Sequence, residues 1–257
     1  APMGLSGNSC LYDLRRRLSP EEVATTRGVR EMTAATGERW EELGGGIGVL
    51  VTREHGFGAD ALLLAAFARP CGRERVCDLG TGCGILPFLW LRDGVPSHVD
   101  AVDVEPRAVM LAERSCLRNG LTDRIRFLTA DWDALPDSLP RGVFDRVSCN
   151  PPYFPPESGE VSRDAVVRRA RHEPDGEMLE RLCRSAAGLL KNGGKFCLCH
   201  RPERLCDVFF ALRRAGLEPK VLRLVQARAG ATPRLFLCEA RKGGKPGLRI
   251  LPPLLSE

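Results

Sequence analysis

The chain holds 257 residues, 43% of them hydrophobic and 28% charged, with a formal net charge of +5. That length and composition suit one α/β domain of ordinary size with a small appendage. No apolar run nears the roughly 18 residues a membrane span needs and no signal-peptide pattern opens the sequence, so a cytoplasmic protein without membrane association is expected.

Residues 1–37 read as an irregular, polar N-terminal extension. A helix start interrupts it at Ser19-Pro20-Glu21-Glu22, an N-cap followed by proline at the first helical position. Met32 stands just ahead of the segment that begins to look like a domain, and one hypothesis makes it the natural start with residues 1–31 as an upstream extension. Residues 38–257 are expected to form the main unit, opening with "ELGGGIGVLVTREHGFGADALLLAAF", a hairpin-like stretch and then an apolar helix near 59–69. Strand signals follow at 74–79, 98–103, 124–129, 143–149, 194–200, 218–226 and 234–241, with helices at 83–93, 106–118, 176–190 and 202–215. Short apolar strands alternating with amphipathic helices mean βαβ units and a largely parallel sheet. The tail "GGKPGLRILPPLLSE" reads as a loop packed on the body.

Eleven cysteines are an odd number for a disulfide framework, and Cys77, Cys149, Cys197 and Cys238 sit in apolar runs where a free thiol behaves as a small hydrophobe. The run "CLCH" at 197–200 has metal-like residues, but its cysteines fall two apart in a strand and no second ligand pair has zinc-site spacing. No metal is expected. Charge is distributed unevenly: residues 191–249 carry 14 Lys or Arg against 4 Asp or Glu. Such a surplus points to a polyanionic partner such as RNA or DNA.

"RVCDLGTGCGILPFLWL" places a strand, a tight glycine turn and a helix in succession. Gly80 and Gly82 let the backbone turn and approach a ligand at a helix N-terminus. Asp78, two residues before the first glycine, suits a ligand bearing an amine better than one bearing a pyrophosphate. S-adenosylmethionine, with ammonium and sulfonium charges, is such a ligand. Asp103 closes the next strand, where a carboxylate can accept both ribose hydroxyls. Asp131 and Trp132 end the third, near the expected adenine. Each aspartate alone is equally a turn former or helix cap. Four polar residues at consecutive strand ends, Asn150 included, argue for a ligand crevice along the sheet edge.

Asn150-Pro151-Pro152-Tyr153 follows the fourth strand. In isolation it is a plausible turn former. Together with the glycine loop and the acidic strand ends, it resembles the class I S-adenosylmethionine-dependent methyltransferases, and specifically their amino-methylating branch. The resemblance implies a Rossmann-like fold with a seven-stranded, mostly parallel sheet, helices on both faces and an antiparallel last strand. It implies cofactor contacts from Asp78, Gly80, Gly82, Asp103, Asp131 and Trp132. It also implies catalysis by Asn150, Pro151, Pro152 and Tyr153. There the Asn150 side-chain oxygen and the Pro151 carbonyl would accept from the amine, while Tyr153, with Phe154, would stack on the target.

The carboxyl half, in "RRARHE", "LLKNGGKFCLCHRPERL" and "KGGKPGLRILPPL", resembles the bacterial tRNA adenine-N6 methyltransferase family acting on position 37 of valine tRNA. That resemblance implies N6-methylation of an adenine in RNA, with tRNA as partner; the sequence does not give the oligomeric state, and a monomer is favoured. Arg163, Arg168, Arg169, Arg171 and His172 lie after the tetrapeptide, where they read either as an exposed loop or as RNA contacts and a lid. Cys149 reads as packing, since methyl transfer to an amine needs no thiol nucleophile. Three alternatives stay open: N5-methylation of a glutamine in a protein such as a release factor, N-methylation of another base in rRNA or DNA, and a non-catalytic RNA-binding protein.

Overall fold

The computed structural model describes residues 37–152 and 177–256. The helix start at Ser19, the hypothesised start at Met32, and Tyr153, Phe154, Arg163, Arg168, Arg169, Arg171 and His172 all lie outside the described residues.

The first two strands, β1 (Arg39–Gly44) and β2 (Ile47–Val51), form an antiparallel hairpin. The rest of the chain builds one eight-stranded sheet. Along the chain come α1 (Ala59–Phe67), β3 (Val76–Leu79), α2 (Ile85–Arg92), β4 (Val99–Asp103), α3 (Pro106–Arg118), β5 (Ile125–Thr129) and β6 (Phe144–Cys149). Then follow α4 (Met178–Leu189), β7 (Leu190–His200), α5 (Leu205–Arg214), β8 (Leu217–Gln226), β9 (Leu235–Lys242) and β10 (Arg249–Leu255). The sheet order is β10-β8-β9-β7-β6-β3-β4-β5, and β9 alone runs antiparallel to its neighbours. The chain starts the sheet at β3, builds outward to β5, then crosses back to lay β6 on the other side of β3. The topological switch point therefore falls between β3 and β6.

The expected fold holds, with one correction. The tail is not a loop: Arg249–Leu255 pairs in parallel with β8 as an eighth strand. Pro252 and Pro253 obscure it in the sequence because proline cannot donate to a ladder. Here they sit at an edge strand, inside a register shift between Leu251 and Leu254, and the Pro252 carbonyl accepts from Arg223 at 3.2 Å.

Strand alternation divides the interior into two cores. Cys77, Leu79, Val147, Cys149, Phe196 and Leu198 face α4 and α5 in one. Val76, Val99, Ala101, Cys197 and Cys199 face the hairpin, α1 and α2 in the other. Helix α3 shows how pattern becomes packing. Pro106 fits its first turn, and Ala108, Val109, Leu111, Ala112, Ser115 and Cys116 form its buried face. Its last turn also serves the hairpin's free edge. The Ser115 hydroxyl accepts from the Leu50 N–H at 2.8 Å, and the Asn119 side chain exchanges two hydrogen bonds with the Gly48 backbone.

One charge is set deep in the sheet. Arg146, on β6, is 4% exposed and reaches Glu74 at 3.1 Å and Glu239 at 3.5 Å. Removing one partner of a buried pair leaves the other charges desolvated. Arg146→Ala is expected to lower stability by about 3–5 kcal/mol, and Arg146→Ala with Glu74→Gln by less, measured by urea denaturation.

Candidate active site

All four residues of β3 are buried, because β4 and β6 flank it and a core covers each face. Only its carboxyl end opens, onto the loop Gly80-Thr81-Gly82-Cys83-Gly84 that leads into α2. This loop is clasped to the end of β4. The Thr81 N–H donates to the Val102 carbonyl at 3.0 Å, and the Gly82 N–H donates to Asp103 Oδ2 at 2.7 Å. Gly82 holds a φ of 56°, and a Cβ built on it would meet no atom within 4 Å. Gly84 is required for a different reason: a Cβ there would stand 2.9 Å from the Phe88 ring, so α2 packs against backbone at that point.

Asp78 is 1% exposed, and its Oδ1 accepts from the Ser148 hydroxyl at 2.6 Å. Burial pushes its carboxyl up to about 7, against the pull of that hydrogen bond. Asp103 is also raised by burial, against the pull of the Glu105 and Gly82 N–H groups, which both donate to it. Each carboxylate oxygen of Asp103 carries one such bond and keeps a further lone pair for a hydroxyl donor.

Past β5, Asp131 caps a 3-10 turn over Trp132–Ala134 by accepting the Asp133 N–H at 3.0 Å. Asp131 is exposed, whereas Trp132 is half-buried with its ring 3.5 Å from where a Gly80 Cβ would stand. The turn is tied to α4 by the Ser185 hydroxyl, which donates to the Trp132 carbonyl at 2.7 Å, and by Arg181 on Asp133, also at 2.7 Å.

Asn150 follows β6 directly. Cys149 pairs with Leu79 across the ladder, so Asn150 and Gly80 end adjacent strands, roughly 5 Å apart. Asn150 is half-buried, Pro151 is buried and Pro152 is half-buried. The Cys199 thiol, on β7, donates to Asn150 Oδ1 at 3.1 Å.

Asp78, Gly80, Gly82, Asp103, Asp131, Trp132, Asn150, Pro151 and Pro152 thus share the carboxyl edge of one sheet. Sequence reasoning missed Ser148 and Cys199. Period-two alternation places Ser148 on the same face as Asn150, but finding its partner requires the β3–β6 register, which pairs Ser148 with Asp78. Buried thiols such as Cys77, Cys149 and Cys83 behave as packing groups: burial raises Cys77 and Cys149 and pushes Cys83 up to about 12. His200, at the end of β7, is held neutral, with burial lowering it to about 4. Among the described residues no group of three or more His, Cys, Asp or Glu could hold a metal ion, and no helix is long and apolar enough to cross a membrane.

Comparison with known proteins agrees with this geometry. The methyltransferase small domain family model matches residues 47–209. A tRNA1(Val) (adenine(37)-N6)-methyltransferase of a Flavobacteriaceae bacterium is 29% identical over 179 residues, covering 64% of this chain and 74% of that one. A ribosomal protein uL3 glutamine methyltransferase of Bordetella pertussis is 34% identical over 145 residues, covering 52% of this chain and 46% of that one. The chain therefore spans about half the length of that enzyme. A solved structure described as a predicted O-methyltransferase of Agrobacterium tumefaciens superposes with a TM-score of 0.58 at 24% identity, covering 76% of this chain and 86% of that one. It bears on the fold alone.

S-adenosylmethionine is the cofactor of this family, and the residues present fit it. Asp78 is a buried carboxyl whose hydrogen bond at 2.6 Å comes from a neutral hydroxyl, that of Ser148, the environment in which an incoming ammonium gains most. Asp103 retains acceptor capacity for hydroxyls, and Gly82 leaves space for backbone approach. A pH dependence follows. Below about 7, Asp78 holds a proton that it must release to meet a cation, so affinity measured calorimetrically falls roughly tenfold per pH unit beneath that point. Because the folded value lies above the unfolded one, this carboxyl costs stability as pH rises through about 7. Asp78→Asn is therefore expected to raise the thermal midpoint of the ligand-free protein at alkaline pH while weakening cofactor binding and flattening its pH dependence. With a family model reaching from β2 to α5 and a crevice that suits the cofactor at each strand end it covers, the chain belongs to the methyltransferase small domain family of class I S-adenosylmethionine-dependent enzymes.

Proposed function

We propose that this protein methylates the exocyclic N6 amine of an adenine in RNA, the base at position 37 of valine tRNA. The observation that carries the chemistry is Asn150. It is a half-buried carboxamide at the end of β6, one strand from the glycine loop, with its oxygen already anchored by the Cys199 thiol.

An amine conjugated to an aromatic ring is a poor nucleophile, because its lone pair is drawn into the π system. Acceptors aimed at its two N–H bonds favour a pyramidal nitrogen and free that pair. The Asn150 oxygen accepts from Cys199, and a carboxamide oxygen can accept from more than one donor, an amine hydrogen included. The Pro151 carbonyl supplies the second acceptor. Pro151 and Pro152 fix successive φ angles, so both acceptors are held in place before substrate arrives. S-adenosylmethionine supplies the electrophilic methyl group, and Asp78 and Asp103 hold its charged and hydroxylated ends. Tyr153 and Phe154 are assigned to stacking on the base, an interaction worth about 1–3 kcal/mol.

RNA is favoured over protein on two grounds. The basic surplus in residues 191–249 suits a polyanion. The tRNA-modifying relative is matched over 74% of its own length, the glutamine methyltransferase over 46%. The second reading, methylation of a glutamine amide in a protein, draws on the 34% identity to that enzyme. Its acceptor is likewise a planar, conjugated nitrogen.

Labelled S-adenosylmethionine with unmodified valine tRNA should yield N6-methyladenosine, and a transcript with guanine in place of adenine 37 should stay unlabelled. Equal labelling of both transcripts would sink the site assignment, and labelling of a glutamine-bearing protein instead would favour the second reading. Asn150→Ala should cut kcat by about 10²–10³ with little change in cofactor affinity. Cys199→Ala should lower kcat more modestly, and Cys199→Ser, which keeps a donor, should recover most of the loss. If Cys199→Ser and Cys199→Ala are equally impaired, the thiol does not position Asn150.

A further inference from the structure

The sheet has a second functional end. Opposite Asn150, the start of β7, the start of β8 and the end of β9 frame an open groove of about 640 Å³. Lys220, Arg241, Lys242 and Lys245 line it, together with Asn192 and the glycines of two turns. No acidic side chain is among the lining residues.

Elsewhere in the carboxyl half most cations are matched. Lys191 pairs with Asp145, Lys195 with Glu239, Arg204 with Asp207, Arg213 with Glu218 and Arg234 with Asp60. The four groove cations have no carboxylate partner among the described residues. Glu218 stands opposite Arg241 in the β8–β9 register, but it pairs with Arg213 at 3.2 Å.

The groove is also shaped by backbone. At Gly193 a Cβ would stand 3.2 Å from the Arg241 guanidinium, so glycine lets that group lie against the turn. Lys242 is committed to structure, donating at 2.7 Å to the Ala187 and Leu190 carbonyls at the end of α4. Lys220 donates to the Lys245 carbonyl at 3.0 Å and so holds the two turns together. Arg241 and Lys245 are exposed and make no side-chain hydrogen bond or ion pair among the described residues.

We propose that this groove binds the phosphodiester backbone of the RNA substrate outside the loop that carries the target base. The proposal rests on the RNA reading above. An open groove with cations spread along it suits a run of phosphates better than a single small anion, which would need an enclosed set of donors. Distance fixes which part of the RNA it meets. Arg241 pairs with Lys195, four residues before Cys199, so the groove lies at least about 13 Å from the Asn150 end of the sheet. A base held at Asn150 leaves the flanking stem, rather than the loop itself, to reach the basic end.

The test uses the full chain with Arg241→Glu and Lys245→Glu together, which spares both tethering lysines. Affinity for full-length unmodified valine tRNA, measured by fluorescence anisotropy, should fall at least about tenfold, and the salt dependence should flatten by about two phosphate contacts. Affinity for a short single-stranded oligonucleotide of the anticodon loop, and the affinity for S-adenosylmethionine, should not change. Unaltered tRNA affinity and salt slope in the variant would overturn the groove while leaving the methylation reading intact. Loss of tRNA affinity in the variant, with no methylation of tRNA by the wild type, would uphold the groove and overturn the chemistry. If the wild type binds no tRNA, or the variant loses only binding to anionic lipid vesicles, the groove is not an RNA site.

Discussion

The site depends on burying a carboxylate at the end of a strand that has no free face. Strand β3 is flanked on both sides and covered above and below, so Asp78 is all but removed from water, and the Ser148 hydroxyl meets it at 2.6 Å. A group raised to about 7 by desolvation is a standing cost in the ligand-free protein. The fold tolerates that cost because the same position is the switch point of the sheet, where a crevice forms by topology alone. The destabilised carboxyl and the opening that admits its counter-charge are produced by one arrangement of strands.

The two halves of the site are built by different devices. On the β3–β4–β5 side, backbone N–H groups and carboxylates clasp one another, as Gly82 does with Asp103, so the loop is shaped before any ligand arrives. On the β6–β7 side, prolines stiffen the chain and a thiol from the neighbouring strand orients a carboxamide. A thiol is a weak donor, so it can set the orientation of the Asn150 oxygen while drawing little density from it.

Charge is placed unevenly along the strands. The carboxyl ends carry Asp78, Asp103 and Asp131, and the opposite end collects Lys220, Arg241, Lys242 and Lys245, which have no carboxylate partner among the described residues. The buried Arg146 lies between them, satisfied by Glu74 and Glu239 within the sheet, so it contributes to neither surface. This polarity gives an extended polyanion a reason to lie along the sheet rather than across one edge.

The element order, the parallel sheet and the polar residues at its strand ends were legible in the sequence. Strands of four to six apolar residues between amphipathic helices leave few alternatives, and the helix expected over 106–118 is helix α3, Pro106–Arg118. Asp78, Asp103, Asp131 and Asn150 were recognisable because strand ends are marked by where apolar runs stop. Strand β10 was not, since Pro252 and Pro253 erase the alternation that would reveal it and the strand lies at an edge where missing donors cost little. Nor were Ser148 and Cys199, the groups that partner Asp78 and Asn150, because each contact crosses between strands distant in sequence. The basic surplus of residues 191–249 was plain in the composition, but only the antiparallel return of β9 brings Arg241 and Lys245 beside Lys220 and away from the crevice. Local order of apolar and polar residues determined which elements form and which chemistry stands at their ends. Register and strand order, set by packing two cores against one sheet, decided which of those residues meet.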